Sequence, residues 1–239
     1  EDGEPRAVIV TADLTTPVTR QAVNELNYWI QRITGTSLPV VRESEWDGTR
    51  PYIAVGPSEL VSRNEWDAGD FAPDEARVFV EADRIGLVGN DRQAIPDVHW
   101  RGTYYAVLEF VKNRFGVRWI WPGEIGEVFT PRSTLEVETG NWVWRPQIYM
   151  RRSLRNAIKE SKVIDQAQSY FRYFTLQSQA YWAVATLRDD QDVWLRRHRL
   201  DLNNGVTFSH AFTEWWDLYG KDHPDWFAQP PAGQTQLGG

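Results

Sequence analysis

Two helical repeats of apolar side chains, each stopped by a glycine and flanked by short apolar runs, set the strongest limit on what this 239-residue chain can fold into. In the first, Val18, Ala22, Leu26, Ile30 and Ile33 recur on one helix face. Thr16 is an N-cap type, Pro17 suits the first helical position, and Gly35 stops the run. In the second, Tyr104, Val107, Leu108, Val111 and Phe115 share a face and Gly116 closes it. Short apolar runs at 7–10, 38–41, 52–55 and 117–121 read as strands, and Val78 and Val80 with 85–88 form a hairpin around Asp83-Arg84. The segment 57–75 reads as loop with one helical turn, and 89–101 as a polar loop. Strand, helix, two strands, hairpin, helix, strand is the order of a compact α/β sandwich, which we assign to residues 1–140.

Asn141 to Pro146 reads as a junction, and a second unit, 146–239, opens with a strand at 147–152. Helical segments between 166 and 186, a strand-like run from Trp194 to Leu202 and a short strand at 206–208 follow. That alternation suits the first units of a parallel (β/α) barrel. A whole barrel needs roughly 200–250 residues, so the expected fold class is an α/β sandwich followed by an incomplete (β/α) barrel.

Charge and composition exclude several classes of function. The net charge of −7 argues against a general nucleic-acid binder. No apolar run approaches the roughly 20 residues of a membrane span. The chain has no cysteine, hence no disulfide framework and no thiol chemistry. His198, His210 and His223 are not spaced as a zinc motif, and neither a phosphate-binding glycine loop nor a Gly-x-Ser-x-Gly elbow occurs. No metal or cofactor is expected. Residues 1–140 carry 14 basic and 23 acidic side chains, a net of −9, whereas 141–239 carry 12 and 10. Only four of the 26 basic residues are lysines. Arginine grips carboxylates through two parallel hydrogen bonds, although a GC-rich genome gives the same bias. Thirteen tryptophans supply flat faces that could stack on sugar rings or fill a core.

The stretch Arg101-Gly102-Thr103-Tyr104-Tyr105-Ala106-Val107-Leu108-Glu109-Phe110, together with Phe115-Gly116-Val117-Arg118-Trp119-Ile120-Trp121-Pro122-Gly123-Glu124, resembles the signature of the non-catalytic N-terminal domain of α-glucuronidases and β-N-acetylhexosaminidases. Ile33-Thr34-Gly35, Leu38-Pro39-Val40 and His223-Pro224-Asp225-Trp226-Phe227-Ala228 extend it toward a bacterial family that joins such a domain to a glycosidase-like barrel. The resemblance implies that the front domain buttresses the barrel, with Trp119, Trp121 and Pro122 against it. It also implies that the catalytic carboxylates lie on later strands, and that the partner is carbohydrate. It further implies export; the opening Glu1-Asp2-Gly3-Glu4 would suit a chain start exposed by removal of a signal peptide, and an arbitrary boundary would look the same.

Glycoside hydrolysis uses two carboxyl groups. Glu214 and Asp217 are three apart and would share a helix face, the ordinary arrangement of a solvated helix start. Candidate sugar contacts are Arg151 or Arg152 at the end of the first barrel strand, Arg199, Asn203 and Asn204 at the second, and His210 after the third. The same side chains would equally serve as hydrogen bonds between elements. Trp215, Trp216 and Trp226 form either a stacking surface or core, and core is the ordinary role. The expected function is the front part of a glycoside hydrolase-like protein acting on an extracellular, uronate-containing polysaccharide. The alternatives are a non-catalytic glycan-binding protein and a structural subunit of an extracellular assembly.

Overall fold

A computed structural model describes residues 4–95, 98–147, 192–200 and 215–227, together with Asp190. The chain divides into two compact units, Glu1–Asn204 and Gly205–Gly239.

The first unit is built on a six-stranded sheet. In chain order its strands are β1 (Val8–Thr11), β2 (Val40–Arg42), β3 (Tyr52–Val55), β4 (Ala76–Val80), β5 (Arg84–Gly89) and, far along the chain, β10 (Gly140–Trp144). The spatial order is β10-β4-β5-β3-β1-β2. β1 runs parallel to β2 and β3, and β3 parallel to β5, while β4 is antiparallel to both β5 and β10. All four residues of β1 and of β3 are buried, as continuous apolar strands covered on both faces should be. The period of two then divides them: Ile9, Ile53 and Val55 face one core, while Val8, Val10, Tyr52 and Ala54 face the other.

Helices α1 (Pro17–Thr34) and α3 (Gly102–Phe110) cover the larger core. Thr16 caps α1 by accepting the amide of Thr19 at 3.0 Å, and Gly35 ends it at φ 78° with its amide on Gln31 O. The short α2 (Glu59–Arg63) and the Trp66 indole cover the other face. Helix α3 differs from α1 in kind. All nine of its residues are buried, and it widens into a π turn over Val111–Phe115 before Gly116 closes it at φ 77°. A helix apolar all round has to be covered all round.

The first unit also holds two short hairpins, β6 (Gln93–Ile95) with β7 (Val98–His99), and β8 (Arg118–Trp119) with β9 (Glu127–Val128). The first falls within the stretch expected to be polar loop. Residues expected to be a junction also prove to be structural, since Asn141–Trp144 belong to β10, the sheet edge beside β4. Residues 192–197 are helical (α4), which corrects the strand-like reading of Trp194 onward. The expected barrel strands at 147–152 and 206–208 lie outside the described residues, apart from Gln147. In the second unit the described residues form α5 (Trp215–Tyr219) and a 3₁₀ turn, Pro224–Trp226. Among the described residues no helix is long and apolar enough to cross a membrane.

Candidate functional site

Part of the cover over α3 comes from 192–200, where Arg199 meets Glu109 and lies near the Tyr105 ring. Three consecutive side chains, Arg197, His198 and Arg199, bind three different places on the residues before 147. Arg197 Nε donates to Glu25 Oε1 at 2.7 Å and its Nη1 to Glu127 Oε1 at 2.6 Å. Its guanidinium lies 5.0, 5.4 and 5.9 Å from the ring centroids of Trp29, Tyr28 and Trp119. His198 Nε2 meets Trp119 O at 2.7 Å, and since a carbonyl only accepts, that nitrogen carries the proton. Trp194 Nε1 donates to the same oxygen at 3.0 Å. Arg199 pairs with Glu109, and its guanidinium sits 4.3 Å from a Trp144 ring centroid.

Local backbone explains how neighbouring arginines reach separate targets. Arg197 closes α4, and Arg199 takes φ 60°, so the chain leaves the helix between them. That left-handed conformation costs about 1–2 kcal/mol in a residue with a Cβ, which the Glu109 pair and the Trp144 ring offset.

The two carboxylates under Arg197 are held by the early part of the chain itself. Glu25, on α1, accepts the Trp29 indole N–H at 2.7 Å and the Tyr104 hydroxyl at 3.2 Å. Glu127, on β9, accepts the Tyr28 hydroxyl at 2.7 Å and lies 3.4 Å from Arg32 Nη2. Arg197, Glu25 and Glu127 are 9%, 10% and 4% exposed at the side chain, so the charges meet almost out of water.

In this setting both phenols ionise only at higher pH than a free tyrosine. Burial, reinforced by the Glu127 carboxylate that accepts its hydrogen bond, pushes Tyr28 up to about 12, with Arg32 and Arg197 opposing. Burial and the Glu25 charge carry Tyr104 well above its ordinary value. An unfolded tyrosine ionises near pH 10. Both phenols therefore contribute stability that is present below pH 10 and lost at higher pH, for Tyr28 as pH rises from about 10 toward 12. Alkaline titration followed at the tyrosinate band should show part of the nine-tyrosine signal withheld until the fold is lost. A single step near pH 10 with the fold intact would contradict this geometry.

Of the residues singled out as sugar contacts, only Arg199 is described. Arg151, Arg152, Asn203, Asn204 and His210 lie outside the described residues. Arg199 does not end a strand, and the carboxylate it meets belongs to Glu109. Arg197, Glu25 and Glu127 were missed by sequence reasoning. Asp217 is exposed, whereas Glu214 lies outside the described residues. In the second unit Trp215, Trp216 and Trp226 are 45%, 37% and 58% exposed, against the core role weighed beside stacking for them. Tyr219 joins them: its ring lies 6.0 Å from that of Trp215 and 5.8 Å from that of Trp226. His223 stacks on Trp226 at 3.9 Å with 6° between planes.

No protein-family model and no curated protein matches the sequence. Among solved structures the chain is similar to BtGH115A, a family GH115 4-O-methyl-α-glucuronidase with specificity for decorated arabinogalactans. That similarity has a TM-score of 0.46 and 18% identity over 62% of this chain and 18% of the other. It is also similar to CpGH84D, with a TM-score of 0.30 and 15% identity over 43% of this chain and 17% of the other. The chain thus spans less than a fifth of either protein, and no feature of the site rests on these similarities.

Proposed function

We propose that this chain is the front part of an exported glycoside hydrolase-like protein acting on an acidic polysaccharide, and that residues 4–147 are its non-catalytic supporting domain. The observation that carries this reading is the commitment of the buried glutamates. Glu25 and Glu127 are bound to Arg197, Glu109 to Arg199, and Glu75 to Arg77 and Arg145. A catalytic carboxyl group has to face its substrate, whereas each of these is nearly buried and taken up by arginines of the same fold. These groups hold structure together, and the reaction belongs to carboxylates elsewhere in the protein. The sequence signature at 101–124 supports the same assignment.

A second reading, glycan recognition without hydrolysis, is favoured by the exposed rings of Trp215, Tyr219 and Trp226. One experiment addresses both. The chain is incubated with neutral and uronate-containing polysaccharides while released reducing ends and tryptophan fluorescence are followed. The expected result is no hydrolysis by this chain, with saturable quenching by a uronate-containing polymer. Trp226→Ala should weaken that binding roughly tenfold, the equivalent of one lost stacking contact of about 1.4 kcal/mol. Hydrolysis by the chain alone would overturn the supporting-domain assignment. Failure of every polysaccharide to bind would leave recognition by this chain without support.

A further inference from the structure

We propose that the early part of the chain, between Glu25 and Glu127, forms a receptor selective for a guanidinium group, with Arg197 as its resident ligand. The receptor is complete without that ligand. Glu25 is oriented by the Trp29 indole and the Tyr104 hydroxyl, and Glu127 by the Tyr28 hydroxyl and Arg32. None of these groups comes from the segment that supplies Arg197, which follows Glu127 by 70 residues. Holds of that kind, all made by residues before 147, reduce the reorganisation that binding costs.

Its shape distinguishes between cations. The carboxylates receive two different N–H groups of one ion, Nε at Glu25 and Nη1 at Glu127. The Tyr28, Trp29 and Trp119 rings surround the carbon between them at 5.0–5.9 Å. A planar, weakly hydrated guanidinium offers diverging donors and faces that suit aromatic rings. An ammonium is a compact point charge that keeps its water. The partner this surface fits is therefore an arginine presented at a helix end, which α4 supplies within the chain.

Chemical rescue of the whole chain tests the assignment. Arg197→Ala empties the receptor, and thermal unfolding is then followed with millimolar methylguanidinium or methylammonium, with the unsubstituted chain as control for general solvent effects. Methylguanidinium at ten times its Kd should raise the Tm of the variant saturably, by about 3–6 °C. Methylammonium should leave it unchanged, and Glu25→Gln with Glu127→Gln should abolish the rescue. Equal rescue by both cations, or rescue by neither, overturns the proposal. If Arg197→Ala fails to fold, refolding yield in the two cations replaces Tm as the readout, judged by the same two outcomes. Arg197→Lys supplies an independent check: it should lose the hydrogen-exchange protection of α4, and retention of full protection overturns guanidinium selectivity.

Discussion

Truncation of Arg197 to alanine is expected to destabilise the first unit by about 3–5 kcal/mol, the range for removing one partner of a buried ion pair. The substitution deletes the shared donor of Glu25 and Glu127 and leaves two nearly buried carboxylates, Glu25 with only neutral donors and Glu127 with Arg32 as its remaining cation. Arg32 remains, 3.4 Å from Glu127 and one-third exposed, and Glu127 is the nearly buried carboxylate it pairs with. The cost is chiefly that of stranded negative charge, so it should be recoverable without restoring the arginine. Adding Glu25→Gln and Glu127→Gln to Arg197→Ala should return part of the loss, a coupling that a denaturant series on the single and combined variants measures. An exposed ion pair behaves differently: Arg63→Ala, which breaks the solvent-facing pair with Glu59, should cost less than about 1 kcal/mol. Equal costs at Arg197 and Arg63 would mean that water reaches the Glu25–Glu127 site in solution.

The parts of this fold that were legible in the sequence are those set by local chemistry. The Thr16 cap, Pro17, the Val18 to Ile33 face and Gly35 define α1 before any tertiary contact is considered. The turn at Asp83-Arg84 likewise fixes the β4–β5 pairing. What was hidden depends on distance along the chain. β10 pairs with β4 about 60 residues earlier, and its Gly-Asn-Trp-Val-Trp sequence, cut off from any turn partner, resembles a connector until β4 is beside it. The Glu25–Arg197 contact spans 172 residues, and no spacing rule joins a glutamate on one helix to an arginine on another at that separation. One signal was available. Tyr105, Ala106 and Phe110 make α3 apolar outside the Tyr104–Val107–Leu108–Val111 face, and so require a cover beyond the sheet and α1. For Arg199 the sequence supplied the chemistry, a guanidinium gripping a carboxylate, while the Glu109 partner became visible only in three dimensions.

Gly102→Ala and Gly116→Ala place the same methyl group at the two ends of one helical run, and they should differ by at least 2 kcal/mol. At Gly116 the backbone has φ 77° and nothing lies within 4 Å of an added Cβ. The penalty there is conformational only, about 1 kcal/mol or slightly more. At Gly102 the added Cβ would lie 2.2 Å from both Asn90 N and Glu75 O, backbone atoms without rotamers by which to retreat. Those atoms are hydrogen-bonded to each other at 2.9 Å, and Gly102 N donates to Asn90 O at 3.0 Å. Relief of the clash would therefore separate α3 from the ends of β4 and β5, a cost of about 3 kcal/mol or more, above the ordinary range for overpacking. Gly89 faces Gly102 across the same gap, its own added Cβ falling 2.5 Å from the Gly102 Cα, so the approach needs glycine on both sides. Chemical denaturation of both variants is the measurement. A Gly102→Ala chain as stable as Gly116→Ala would show that the strand ends and α3 are farther apart than this, and with them the frame that carries Tyr104 to Glu25 and Glu109 to Arg199.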